Sequence, residues 1–156
     1  PGRRLIGEPL ARTTYSLFRE ATQAGIATSL DASSVGALQD WGPDESRRRL
    51  ESSGATHLFA NEEETDYLGL IERPLPHATL VVKRGAGIAE VRDSDGRIVA
   101  AASASTIEGP VDTTGAGDAF AGGFIVARAR GGSWDDALAA GHRAAGTHLR
   151  HQRERS

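Results

Sequence analysis

Cysteine is absent, which excludes disulfides and thiol catalysis and fits a cytoplasmic location without requiring one. Methionine is absent too. Pro1 is therefore no translational start, and the chain is expected to be a trimmed product or a piece of a longer protein. Aromatics make up only 5% of residues, so a core has to be built from Ala, Leu, Ile and Val. No apolar run is long enough to span a bilayer and no secretory signal is visible, so no membrane partner is expected. Charge is close to balance, at −3, with no large basic block. That argues against nucleic acid as a partner. The short run Arg47, Arg48, Arg49 and the Arg-bearing tail read as solvated faces. Lysine occurs once, as Lys83, whereas arginine is abundant. No Gly-x-x-x-x-Gly-Lys-[Ser/Thr] loop occurs, and Gly115-x-Gly117 and Gly85-x-Gly87 both lack the third glycine of the dinucleotide fingerprint.

What is there has the rhythm of an α/β domain, and 156 residues predict a single one. Leu10, Thr14, Leu17, Ala21 and Ala24 recur at helical spacing, with Gly25 as a stop. Residues 26–31 read as a strand ending on Asp31. The segment 43–53 reads as a short polar helix closed by Gly54. A strand over 56–60 is followed by a helix opening at Asn61. Residues 79–83 are strongly β, and 88–92 with 97–101 form a predicted hairpin around 93–96. Residues 103–114 read as loop. Residues 115–130 are small and apolar nearly all round, which predicts a deeply buried helix. Ser133 is a candidate cap for a last helix running to about Arg150.

The segment Asp112-Thr113-Thr114-Gly115-Ala116-Gly117-Asp118-Ala119-Phe120 carries the most information. Its small residues gather backbone N–H groups at a helix N-terminus, where the helix dipole favours an anion. Gly115 and Gly117 allow the backbone to approach it closely. Asp118 then has two readings. It complements the helix dipole, or it takes a proton from a hydroxyl attacking a bound phosphoryl group.

This segment resembles, nearly letter for letter, the C-terminal signature of the PfkB, or ribokinase-like, family of carbohydrate kinases. The resemblance implies a three-layer α/β/α sheet represented by its C-terminal, nucleotide-binding half, spanning residues 1–156. The family's N-terminal half and lid are expected to be missing. It implies ATP-dependent phosphoryl transfer to a hydroxyl of a sugar or sugar-like small molecule. Asp118 would be the base, and Gly115, Ala116 and Gly117 the anion hole. Asp112 and Thr114 would help hold a monovalent cation such as K⁺. The alternative is a truncated, inactive remnant that binds nucleotide or a partner. Family dimers form through the lid, so a homodimer is an expectation for a longer protein only.

Three further features align with that family. Asn61-Glu62-Glu63-Glu64 resembles its Asn-x-x-Glu motif, which would put Asn61 and Glu64 on the Mg²⁺ side, partly through water. From spacing alone the same residues are a capping box, and both roles can coexist. Lys83-Arg84-Gly85-Ala86-Gly87 resembles the loop that runs along the nucleotide, with Lys83 as a point charge and Gly85 and Gly87 at the turn. A tight strand-to-strand turn is the plainer reading. His142, 24 positions after Asp118 (142 − 118), falls where the family places a residue against adenine; a lone helical histidine is otherwise structural. His148 and His151 read as tail histidines without a third metal ligand.

Overall fold

The computed structural model describes residues 8–32, 35–85, 87–104 and 112–155. Leu5, Ile6 and Gly7, the residues Ser33, Ser34 and Ala86, and most of the 103–114 loop lie outside the described residues. The chain is an open α/β structure, as expected, and it divides into two compact units. The first is Pro1–Val82 with Arg92–Arg97; the second is Lys83–Val91 with Ile98–Ser156.

The first unit opens with helix α1, Glu8–Gln23. Gly25 stops it with a left-handed φ of 70°. Leu17, assigned by periodicity to an apolar face, is 58% exposed. Strand β1 (Ser29–Asp31) pairs in parallel with β2 (His57–Asn61), Leu30 facing Leu58. The strand predicted from residue 26 is thus shorter. Between the two strands lie α2 (Val35–Gln39), which the sequence reading missed, and α3 (Pro43–Ser53). Pro43 pre-sets the first turn of α3 and Gly54 closes it in the left-handed region. Helix α4 (Glu62–Leu68) follows β2, and β3 (Thr79–Lys83) lies beside β2.

The core of this unit is Leu38, Leu58, Ala60, Leu68, Leu80 and their neighbours. Arg47 ties its edge. Its guanidinium donates to the carbonyls of Leu68 (2.9 Å) and Arg73 (2.7 Å), closing the C-terminal end of α4. Burial, and then the neighbouring Arg73 charge, lower the Arg47 pKa.

The second unit holds strands β4 (Ile88–Arg92, less its last residue) and β5 (Ile98–Ser103), neighbours in a hairpin. Helices α5 (Ala116–Ala129) and α6 (Trp134–Arg155) pack against each other as an antiparallel pair. The capping residue of α6 is Ser133, whose hydroxyl accepts from Asp136 N–H (3.1 Å) while its own N–H donates to the Asp136 carboxylate (2.9 Å). No glycine or proline interrupts α6 after residue 150, so it continues to Arg155.

Helix α5 departs from expectation. Only Phe120 and Phe124 are buried, and Val126 is 49% exposed. Within its unit the helix meets α6 on one face only, through glycines. A Cβ on Gly123 would lie 2.6 Å from the Ala140 carbonyl, and one on Gly141 would lie 2.9 Å from the Phe120 ring. Phe124 stacks on Trp134 at 6.2 Å, and Arg128 lies over the same indole at 3.7 Å. The small residues therefore serve close helix contact rather than burial on all sides. Among the described residues no helix is long and apolar enough to cross a membrane.

Candidate functional site

The turn before α5 is built by its own backbone. Asp112 Oδ1 accepts the Thr114 N–H at 2.9 Å. The Ala116 N–H returns to the Thr113 carbonyl at 3.1 Å, and Ala119 N–H begins the helix by donating to Gly115. Gly115 caps α5 with φ 81° and ψ −6°, a left-handed conformation that suits glycine, and no side chain caps the helix. Among the described residues no hydrogen bond takes up the N–H groups of Gly117 and Asp118. Donors left open at a helix N-terminus, with the dipole behind them, suit an anion. Asp118 is exposed on the first turn.

Lys83 comes to this turn from the end of β3. Its Nζ lies 3.4 Å from where a Gly117 Cβ would sit. The chain's one lysine is thus placed beside the open N–H groups, within the same unit. Gly85 makes the following turn with φ 57°, and Gly87 N–H donates to the Arg84 carbonyl at 2.8 Å. Arg84 pairs with Glu90 at 2.8 Å, which fixes the turn to β4.

Asp112 is solvent-exposed. The Thr114 N–H first, then the Thr114 hydroxyl, hold its carboxyl below the usual carboxylate range, and the nearby His148 charge adds a smaller pull. His148 was not singled out from the sequence except as one of two tail histidines. Its Nε2 lies 2.8 Å from the Thr114 carbonyl oxygen. A spacing signal was present: His148 stands seven residues after Gly141, which faces Phe120, and so shares the face of α6 turned to α5.

His142 sits half-buried on α6. Its Nε2 is 3.1 Å from the Ala102 carbonyl on β5, and its ring meets Phe120 edge-on at 5.1 Å. A carbonyl can only accept, so Nε2 carries the proton; in the neutral ring Nδ1 is then the acceptor.

Asn61 and Glu64 lie in the first unit, and the other candidate residues in the second. They form a complete capping box: Glu64 N–H donates to Asn61 Oδ1 and Asn61 N–H to Glu64 Oε2, each at 2.8 Å. Asn61 Nδ2 also donates to Glu64 Oε1 at 2.9 Å. Glu64 is 1% exposed, while Asn61, Glu62 and Glu63 face solvent. Among the described residues no group of three or more His, Asp or Glu side chains is placed to hold a metal. Mg²⁺ is commonly held by one or two carboxylates with water and substrate phosphates. Glu64 is buried with both carboxylate oxygens held by Asn61, so this end of α4 is not an all-protein cage.

A family model described as pfkB family carbohydrate kinase matches residues 41–155, well over half the chain. Solved structures agree in fold. An adenosine kinase from Schistosoma mansoni, in complex with adenosine and AMP, superposes with a TM-score of 0.72 at 22% identity, covering 89% of this chain and 46% of that one. A nucleoside kinase from Burkholderia thailandensis, in complex with inosine, gives 0.69 at 25% identity, covering 92% and 48%. A probable sugar kinase protein from Rhizobium etli CFN 42 gives 0.73 at 26% identity, covering 88% and 43%. The chain thus spans less than half the length of each of these three structures.

Proposed function

Because the chain belongs to the pfkB family of carbohydrate kinases, we propose that it carries the phosphoryl-transfer half of an ATP-dependent kinase. The acceptor would be a hydroxyl of a sugar or of a nucleoside's ribose. The observation that carries this reading is the turn before α5: open N–H groups at Gly117 and Asp118, Lys83 Nζ beside Gly117, and an exposed carboxylate on the same turn. The similar structures include kinases of nucleosides and a probable sugar kinase, which supports both acceptor classes.

In this mechanism the γ-phosphoryl group of ATP lies against the N–H groups of the turn, and Lys83 supplies a point charge. Asp118 accepts the proton of the acceptor hydroxyl as its oxygen bonds to the γ-phosphorus. The bond from that phosphorus to the β–γ bridging oxygen breaks, and ADP leaves with the electron pair. Bound Mg²⁺ supplies neutralisation of the polyphosphate charge. Asn61 and Glu64 would stand on its side, partly through water. Gly85 and Gly87 would line the nucleotide, and His142 would face adenine through Nδ1.

The test is ADP release by the full-length protein with Mg-ATP and a panel of acceptors: ribose, fructose, sugar acids, phosphorylated sugars and nucleosides. Acceptor-dependent ADP release with a phosphorylated product supports the proposal. ADP release that no acceptor stimulates would contradict it.

A further inference from the structure

The C-terminal part of α6 returns to the start of α5, and one side chain there touches the anion turn. His148 Nε2 lies 2.8 Å from the Thr114 carbonyl oxygen. The same ring covers Gly115: a Cβ there would stand 3.0 Å from Nε2 and 3.2 Å from Cε1. The neighbouring Gln152 Nε2 lies 3.5 Å from the same nitrogen; both are donors once Nε2–H serves Thr114, so this is proximity and not a hydrogen bond. Since the carbonyl only accepts, His148 donates, as either the neutral Nε2–H ring or the imidazolium can. On the other side of Thr114, its N–H is held by Asp112.

These contacts have a geometric consequence. The described residues contain no cis peptide. In a trans peptide the C=O and the following N–H point in opposite directions. Fixing the Thr114 carbonyl on His148 therefore fixes the Gly115 N–H on the opposite side. The sequence resemblance offers Asp112 and Thr114 to a monovalent cation, but here the Thr114 carbonyl already has a donor from the protein.

We propose that His148 is a positioning residue of the phosphoryl-transfer site, orienting the Thr114–Gly115 peptide and with it the Gly115 N–H at the mouth of the anion turn. The proposal rests on the kinase reading above. It assigns to the tail of α6 a part in the reaction rather than in folding. Thr114 is exposed, so water can satisfy its carbonyl when the histidine is removed, and stability should change little. A donor misaimed at a developing charge, in contrast, costs rate.

The experiment uses the full-length protein and the variants His148→Ala, His148→Asn and His148→Gln. Glutamine places an N–H near the position of Nε2; asparagine falls short of it. Steady-state kinetics are read beside amide hydrogen exchange at residues 114–117. For His148→Ala we expect kcat to fall about 10- to 100-fold, less than the loss expected when a donor is removed outright. KM for ATP and the melting temperature should stay close to those of the unmutated protein. Exchange at the turn should quicken. His148→Gln should recover most of the rate and the slow exchange, and His148→Asn should not.

Unchanged kcat and exchange in His148→Ala would overturn the inference while leaving the kinase reading intact. So would glutamine performing no better than asparagine. Absence of acceptor-dependent turnover in the unmutated protein would overturn both the kinase reading and the role given to His148; exchange would then still report whether the brace exists.

Discussion

Gly122 and Gly123 are adjacent on α5 and should respond in opposite directions to the same substitution. A Cβ on Gly123 would lie 2.6 Å from the Ala140 carbonyl oxygen and 2.8 Å from the Ala144 Cβ. Neither atom belongs to a side chain that can swing away. To restore the 3.4 Å of ordinary contact, α6 must recede by about 0.8 Å, the difference from 2.6 Å. Overpacking of this kind costs typically about 1–3 kcal/mol. Against it stands the helix preference for alanine over glycine, about 0.5–1 kcal/mol. The net expectation for Gly123→Ala is a loss of up to about 2.5 kcal/mol. A Cβ on Gly122 meets nothing within 4 Å. Gly122→Ala therefore keeps the helix gain alone, about 0.5–1 kcal/mol of stabilisation. Urea unfolding of the full-length protein and both variants, with the slopes compared, measures the pair. If Gly123→Ala stabilised as much as Gly122→Ala, the close α5–α6 contact would be refuted.

The Asp136 carboxyl is held below its usual range, first by the Ser133 hydroxyl and then by the Ser133 N–H. A depressed folded pKa contributes stability above the unfolded value that is lost as pH falls through the folded one. Ser133→Ala should therefore destabilise the protein near neutrality, with the difference narrowing at the acid end; a gap independent of pH would count against the cap. His142→Ala should weaken ATP more than inorganic tripolyphosphate in a calorimetric titration. Equal affinity for the two in the unmutated protein would remove the adenine assignment. Asn61→Ser keeps an N-cap acceptor for α4 but removes the amide that reaches Glu64 Oε1. It should leave the melting temperature nearly unchanged and raise the Mg²⁺ concentration giving half-maximal rate. An unaltered Mg²⁺ response would reduce this pair to a helix cap.

Where local signals were strong, the sequence marked the elements closely. Pro43 and Gly54 bracket α3, and the β-branched and apolar residues of 79–83 form β3 at the bounds expected. Ser133 caps α6, as expected, by accepting the Asp136 N–H. The five residues of α2 are too few for a periodic signal. Burial was misjudged on α5 because composition reports how small the residues are, not which partner they meet. Gly123 and Gly141 are small to let two helices touch, and Val126 stays exposed. The candidate site was legible as far as its motif reaches. Gly115 to Asp118 form the open turn, and Lys83 comes to it from the end of β3. The hydrogen bond of His148 to Thr114 spans 34 positions in the chain. It depends on the length and antiparallel course of α6, which no local pattern specified. Asn61 and Glu64 sit in a capping box that spacing predicts equally well, so their place beside a nucleotide comes from resemblance alone.

The proposed mechanism stands or falls on Asp118. Asp118→Asn keeps the size of the side chain on the first turn and removes the base. Steady-state turnover of this variant in the full-length protein, measured with the acceptor that supports ADP release, is the most direct test. A positioned base contributes typically about 10²–10⁴-fold, and a loss of that order is expected, with ATP affinity changed little. Turnover within about threefold of the unmutated protein, far below that range, would make Asp118 a helix-dipole residue and contradict the account.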